Sequence, residues 1–173
     1  TWNSMGLAST DISEQVFETE NGLTIERHYL PKGEYKVGPT KKEYVFLHHT
    51  AGWHNPFKTI NRWGKDDRGA IATEFVLGGQ SVKGDDDKCD GVMVQAFPEG
   101  AYGWHLGPNG SQHMHTHSVG IEVNNFGYIV DGKTYAGQTA SASQIVTLKE
   151  PFKGYKTWHR YSDKQIENLR LWL

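Results

Sequence analysis

Short apolar runs alternate with polar residues along the whole chain, and glycine, proline or asparagine bounds most of them. Two runs on either side of Asn21-Gly22 predict a β-hairpin over residues 16–29, because Asn-Gly is a preferred hairpin turn. The run 44–49 predicts a buried strand that ends in two histidines. Segment 126–160 is predicted to be irregular apart from a small Asp-Gly hairpin. Three further strand-like runs lie at 70–77, 91–97 and 118–125, and residues 73–78 and 91–97 suit a long-looped hairpin.

Two segments carry the signals of helix starts. Asn55 is a suitable N-cap and Pro56 fits the first helical position, so a helix is predicted from residue 56. Ser162 and Gln165 form the sequence of a capping box, which predicts a helix that continues to the end of the chain. The expected buried stripes are Phe57, Ile60 and Trp63 in the first helix, and Ile166, Leu169 and Leu173 in the second. Together, the strands and helices predict one α/β domain.

Composition narrows the classes of function. A length of 173 residues suits one domain, and a net charge of −2 gives no sign of a nucleic-acid partner or a membrane surface. No apolar stretch approaches the roughly 18 residues that are needed to span a bilayer. The single Cys89 cannot form an internal disulfide.

Three side chains stand where a strand could present them to a site. Successive side chains of a strand point to opposite faces, so only one of His48 and His49 can enter a given site as a metal ligand or catalytic group. Both can equally be ordinary histidines at a strand end. Glu122 follows Gly120 in an apolar strand, where limited hydration raises the pKa of a carboxyl. The alternative for Glu122 is the exposed face of an edge strand.

A second group of histidines lies in a polar, glycine-flanked segment. If this segment is extended, His113, His115 and His117 share one face and could bind a transition metal. The polar surroundings favour solvated histidines instead. Cys89, beside Asp90, fits a small buried or loop residue better than a metal ligand.

The motifs of the chain resemble those of the type 2 N-acetylmuramoyl-L-alanine amidases, a family that includes phage lysozymes, recycling amidases and peptidoglycan recognition proteins. They occur in the family's order and are F-L-H-H-T-A-G, T-E-F-V-L, Y-G-W-H-L-G, V-G-I-E-V-N-N and Y-S-D-K-Q-I-E-N-L. The resemblance covers residues 43–173, which follow an arm and hairpin over 1–42. It implies a central mixed β-sheet flanked by helices, and zinc-dependent hydrolysis of the amide between N-acetylmuramic acid and L-alanine in peptidoglycan.

The resemblance also implies roles for single residues. His48 would be a zinc ligand and Glu122 the general base. Thr73 stands where some branches of the family have an assisting tyrosine, which favours the glutamate mechanism. The expected substrate-binding residues are Trp53, Thr73, Trp104, His105 and Asn124. The expected context is a monomeric bacterial lytic enzyme that is extracellular or periplasmic, or a phage-encoded endolysin that is delivered to the cell wall.

The family's remaining zinc ligands, a second histidine and an Asp or Cys, follow the helix that begins at Ser162, and the sequence stops at Leu173. The favoured interpretation is a piece of a longer protein, since the chain also begins at Thr1 rather than Met. Substitute ligands are a second interpretation, with His159, Cys89 or one of the histidines at 113, 115 and 117. A non-catalytic peptidoglycan-binding module, or a phage structural component with a vestigial amidase fold, is a third.

Overall fold

Six strands form a mixed β-sheet at the centre of the protein, which the computed structural model describes over residues 15–38 and 40–173. Across the sheet they lie in the order first, second, fifth, fourth, sixth, third. The predicted central mixed sheet is therefore confirmed. In chain order the strands are β1 (Val16–Glu18), β2 (Thr24–Arg27), β3 (Tyr44–His49), β4 (Phe75–Leu77), β5 (Met93–Gln95) and β6 (Ser118–Val123).

The predicted N-terminal hairpin is present and belongs to this sheet. β1 and β2 pair antiparallel around the Asn21-Gly22 turn, and β2 then runs parallel to β5. The long-looped hairpin of β4 and β5 is antiparallel, as predicted. The expected arm over the first dozen residues lies outside the described residues.

Both predicted helix starts are found with their caps. The Asn55 side chain accepts hydrogen bonds from the backbone N–H groups of Phe57 and Lys58, at 2.9 and 3.2 Å. Ser162 and Gln165 form a complete capping box, with each side chain accepting from the other's backbone. The helices are α1 (Pro56–Trp63), α2 (Gln112–Thr116) and α3 (Asp163–Trp172).

The two longer helices cover opposite faces of the sheet. Ile60 of α1 packs against the face that presents Val76 and Val94. On the other face, Leu169 and Trp172 of α3 pack against an apolar cluster of β4, β5 and β6. The predicted stripe of α1 is confirmed, whereas that of α3 is wrong at two of its three positions. Those positions are Ile166, 59% exposed, and Leu173, 72% exposed.

The strand that ends in the two histidines lies at an edge of the sheet, so the prediction of a buried strand is wrong. Within the described residues, β3 pairs only with β6. Val45 and Leu47, on the face of β3 opposite to His48, are each 53% exposed. The apolar sequence of β3 is the same as that of a buried strand, so it does not show whether the strand lies at the centre or the edge of the sheet. The position of β3 depends on its long-range pairing with β6.

Segment 126–160 is more regular than predicted. The small Asp-Gly hairpin is present as β7 (Ile129–Val130) and β8 (Lys133–Thr134). A longer antiparallel hairpin follows, made of β9 (Ile145–Phe152) and β10 (Tyr155–His159). Among the described residues, no helix is long and apolar enough to cross a bilayer.

Candidate functional site

The carboxyl of Glu122 borders a cavity of about 460 Å³. Strand β6 carries this side chain to the α1 face of the sheet, where Val76 of β4 is its register partner. Burial raises the pKa of Glu122 to about 7, and its Oε2 is buried without a hydrogen-bond partner within the described part of the chain. A carboxyl in this state can hold or release a proton near neutral pH, which is what a general acid or base requires.

His48 lies beside Glu122 in the sheet. The two are register partners on the parallel strands β3 and β6, so their side chains share one face. His48 does not line the cavity that Glu122 borders. Burial lowers the pKa of His48, which keeps its imidazole neutral near pH 7. His49 lies on the opposite face, as strand alternation predicts, and its Nδ1 accepts a hydrogen bond from the Ala51 N–H at 3.1 Å.

A chain of hydrogen bonds through His105 and Ser118 orients the His48 ring. Its Nε2 lies 3.0 Å from Nδ1 of His105, and Nε2 of His105 lies 2.8 Å from Oγ of Ser118. The pKa of His105 is lowered to about 4, mainly by burial and to a smaller extent by the neighbouring His48 and His115, so this ring is neutral. If His105 donates to Ser118, it accepts from His48, and Nδ1 of His48 is left with a free electron pair.

Gly120 makes room for this arrangement. A Cβ atom at position 120 would lie 2.9 Å from Nδ1 of His105 and 3.0 Å from Cγ2 of Thr73. The glycine beside Glu122 thus has a steric reason, since the His105 ring occupies the space over it. Both ring nitrogens of His105 are engaged by the protein, so a substrate contact through either nitrogen would require one of these bonds to break.

The other expected substrate-binding residues lie in different surroundings. Trp53 lines the cavity and is 45% exposed. Thr73 is buried, and its hydroxyl donates to the Phe75 carbonyl at 2.7 Å. Asn124 is buried as well and donates to Oγ1 of Thr59 at 3.0 Å, which ties β6 to α1. Trp104 packs edge-on against His115, with ring centroids 4.9 Å apart. Of these residues, only Trp53 is thus on the cavity wall.

Sequence reasoning missed the basic residues of the cavity wall, and of the aromatic residues there it named only Trp53 as substrate-binding. Lys58 and Arg62 occupy positions i and i+4 of α1, which is the spacing that puts two side chains on one helix face. That spacing was the available signal, and it is also typical of a plain solvated face. The remaining basic and aromatic wall residues are Arg68, Trp63 and Tyr135.

The histidines considered as substitute ligands are not at the cavity. His113 of α2 stacks its ring on that of His117, the C-cap residue of the helix, while His115 of α2 is buried. The extended arrangement of these three histidines is therefore wrong, because Ser111 caps a helix there. His159 is buried behind Phe126 and accepts the Phe126 N–H on its Nδ1 at 3.1 Å.

The described residues do not by themselves form a zinc site. A zinc ion in a hydrolase is held by three protein ligands. Over 15–38 and 40–173, no group of three His, Cys, Asp or Glu side chains is arranged to hold a metal ion. His48 has the neutral imidazole that one zinc ligand requires, and Cys89 does not border the cavity. The donor set therefore fits one ligand position of the expected site and leaves the others unfilled.

No protein-family model matches the chain, and no curated protein matches it. Solved structures of similar fold include a mutant endolysin from Bacillus subtilis, with 24% identity over 58% of this chain and a TM-score of 0.44. The catalytic domain of XlyA is 22% identical over 58% of this chain, with a TM-score of 0.43. The catalytic domain of PlyG is 19% identical over 57% of this chain, with a TM-score of 0.41. The matches span 60%, 60% and 53% of those chains. The chain thus matches less than two thirds of each of these chains, and the similarity concerns the fold alone.

Proposed function

We propose that this chain is a peptidoglycan hydrolase that cleaves the amide between N-acetylmuramic acid and L-alanine. The observation that carries the proposal is the Glu122 carboxyl, which borders a large cavity with a pKa near 7 and a buried, unpartnered oxygen. The motif order around His48, Glu122 and the residues between them supports the substrate class. Action at the cell wall, by a phage-encoded or bacterial lytic protein, follows from that substrate.

Glu122 would act on the attacking water. Its carboxylate accepts a proton from the water as the oxygen adds to the amide carbonyl carbon. The carbon–nitrogen bond then breaks, and the same proton passes from Glu122 to the departing amino group of L-alanine. A pKa near 7 suits both halves of this transfer, because the group must accept the proton first and release it afterwards.

The test uses purified protein and isolated cell walls, with and without added zinc. Expected products are new amino-terminal L-alanine residues, with no new reducing sugar ends. Glu122→Gln keeps the size of the side chain but cannot accept the proton, and it should lower the rate by about 100-fold or more. New reducing ends would indicate a glycosidase, and an active Glu122→Gln protein would remove Glu122 from the mechanism.

Zinc dependence remains part of the proposal as a prediction from the sequence resemblance. His48 is the residue that would contribute a ligand, through the nitrogen that His105 does not engage. Bound zinc would polarise the amide carbonyl and make the attacking water more acidic. Elemental analysis of wild-type and His48→Ala protein tests the assignment, since unchanged zinc content in the variant would refute it.

A second candidate is a peptidoglycan-binding module without catalysis. The incomplete set of metal ligands in the described part of the chain favours it. Such a module would sediment with insoluble cell walls and release neither amino termini nor sugar ends. The same cell-wall assay, read for bound protein as well as for products, separates the two functions.

A further inference from the structure

The cavity beside Glu122 carries an excess of positive charge on its helical wall. Lys58, Arg62 and Arg68 line it, and Glu122 is the one acidic side chain among its described lining residues. Arg68 is neutralised by Asp66, whose Oδ2 accepts from its Nη2 at 2.6 Å and from its Nε at 2.9 Å. The uncompensated charge therefore belongs to α1.

Lys58 and Arg62 have no acidic partner among the ion pairs of the described residues. They lie four residues apart on α1, so their charged ends project from the same face of the helix. Both side chains are exposed at the cavity wall, where a ligand can reach them. Two adjacent, unpaired cations suit a ligand with two negative charges, and a guanidinium suits a carboxylate because both groups are planar and form paired hydrogen bonds.

Aromatic side chains complete the wall on either side of these cations. Trp53 and Tyr135 are 45% and 56% exposed, and Trp63 is half-buried at the end of α1. Such rings present large apolar surfaces to a ligand that has both apolar and polar parts. The cavity thus combines a carboxyl for chemistry, a cationic helix face and aromatic walls.

We infer that this cavity binds the acidic peptide of the substrate, with Lys58 and Arg62 holding its free carboxylates while the scissile amide lies at Glu122. The inference rests on the proposed function for the identity of the peptide, and it adds a preference: free-acid stem peptides bind more tightly than amidated ones. A peptide is favoured over a phosphate polymer because the cations share their cavity with the carboxyl that acts on the amide.

The test measures binding by calorimetry in the Glu122→Gln background, which prevents turnover. The probes are N-acetylmuramyl-L-alanyl-D-glutamic acid and the same compound with both glutamate carboxyls converted to carboxamides. The diacid should bind about tenfold more tightly, since hydrogen bonds to an ionised carboxylate are stronger than those to a neutral carboxamide. Raising the salt concentration from about 0.1 to 1 M should reduce this preference because the charges are exposed.

A matched pair of variants assigns the preference to α1. Lys58→Met with Arg62→Gln should bind the diacid and the diamide equally. Lys65→Met with Arg170→Gln removes the same charge outside the cavity wall and should keep the preference. Equal binding of both probes to the parent protein, or a preference that survives in the Lys58/Arg62 variant, would overturn the inference. So would a glycerol-phosphate polymer that binds more tightly than the diacid.

Failure of this inference can be told apart from failure of the proposed function. Hydrolysis of cell walls without any preference for the diacid would retain the enzyme and remove the role of Lys58 and Arg62. Tight, charge-dependent binding of the diacid without hydrolysis by wild-type protein would retain the binding site and favour the non-catalytic module.

Discussion

His48 and Glu122 are register partners on β3 and β6, yet only Glu122 borders the cavity. His48 directs its Nε2 towards Nδ1 of His105, at 3.0 Å, and Ser118 fixes the far side of the His105 ring. The two neighbouring side chains are therefore positioned in different ways. The carboxyl is left without a partner beside open space, whereas the imidazole is oriented by a buried chain of hydrogen bonds.

The rate of hydrolysis should follow the ionisation of Glu122. Burial raises the pKa of this carboxyl to about 7, and a general base acts only when it is ionised. We expect kcat/KM on a soluble muramyl peptide to rise about tenfold per pH unit below pH 7 and to level off above it. Any residual rate of Glu122→Gln should lack this rise, and a wild-type rate that stays level down to pH 5 would contradict the role.

Stability should fall in mild acid because of His159. The pKa of His159 is lowered to about 4, mainly by burial and to a smaller extent by the neighbouring His54. The pKa of a histidine in an unfolded chain is about 6.5. Between these values the unfolded state binds the proton and the folded state does not. The free energy of unfolding therefore decreases as the pH falls from 6.5 to 4, by roughly 3 kcal/mol from this group.

His159→Asn tests this contribution, since an Asn oxygen can replace Nδ1 as the acceptor for the Phe126 N–H without titrating. Urea unfolding at pH 7 and pH 4.5 should give a smaller difference for the variant than for wild type. His113→Asn, at an exposed histidine, is the control and should keep the wild-type difference. An unchanged difference in the His159 variant would assign the acid sensitivity to other groups.

Much of the fold could be predicted because its signals are local. The Asn21-Gly22 turn and the caps at Asn55 and Ser162 each depend on a few adjacent residues, and all three were found where the sequence placed them. The β9–β10 hairpin was missed although its turn also has a local signal. Gly154 there has a φ of 84°, a conformation that glycine adopts readily.

The features that could not be predicted depend on contacts between residues that are far apart in the sequence. The alternation of Val45 and Leu47 is the same in an edge strand as in a central one, so only the pairing of β3 with β6 fixes their exposure. At the site, the apolar strand around Glu122 indicated a carboxyl with limited hydration, and burial does raise the pKa of this group. Lys58 and Arg62 were missed because an i, i+4 pair of cations has the same pattern on any solvated helix.

Removal of metal ions should leave the fold intact. Apolar clusters on both faces of the sheet hold its strands and the helices α1 and α3 together. Dialysis against EDTA should therefore change the Tm by less than about 2 °C, which corresponds to under about 1 kcal/mol at this size. A larger fall, reversed by zinc, would indicate a structural metal site that includes residues outside the described ranges.

Gly120→Ala should disturb His48 without touching it. The added Cβ would lie 2.9 Å from Nδ1 of His105, so the His105 ring must move and its bond to His48 must lengthen. We expect a loss of about 1–3 kcal/mol in the free energy of unfolding, typical of an overpacked interior. The ¹⁵N resonance of His48 Nε2 should also shift. Gly38→Ala is the matched control, since its Cβ would meet no atom within 4 Å. A His48 resonance that is equally unchanged in both variants would mean that His105 does not orient this ring.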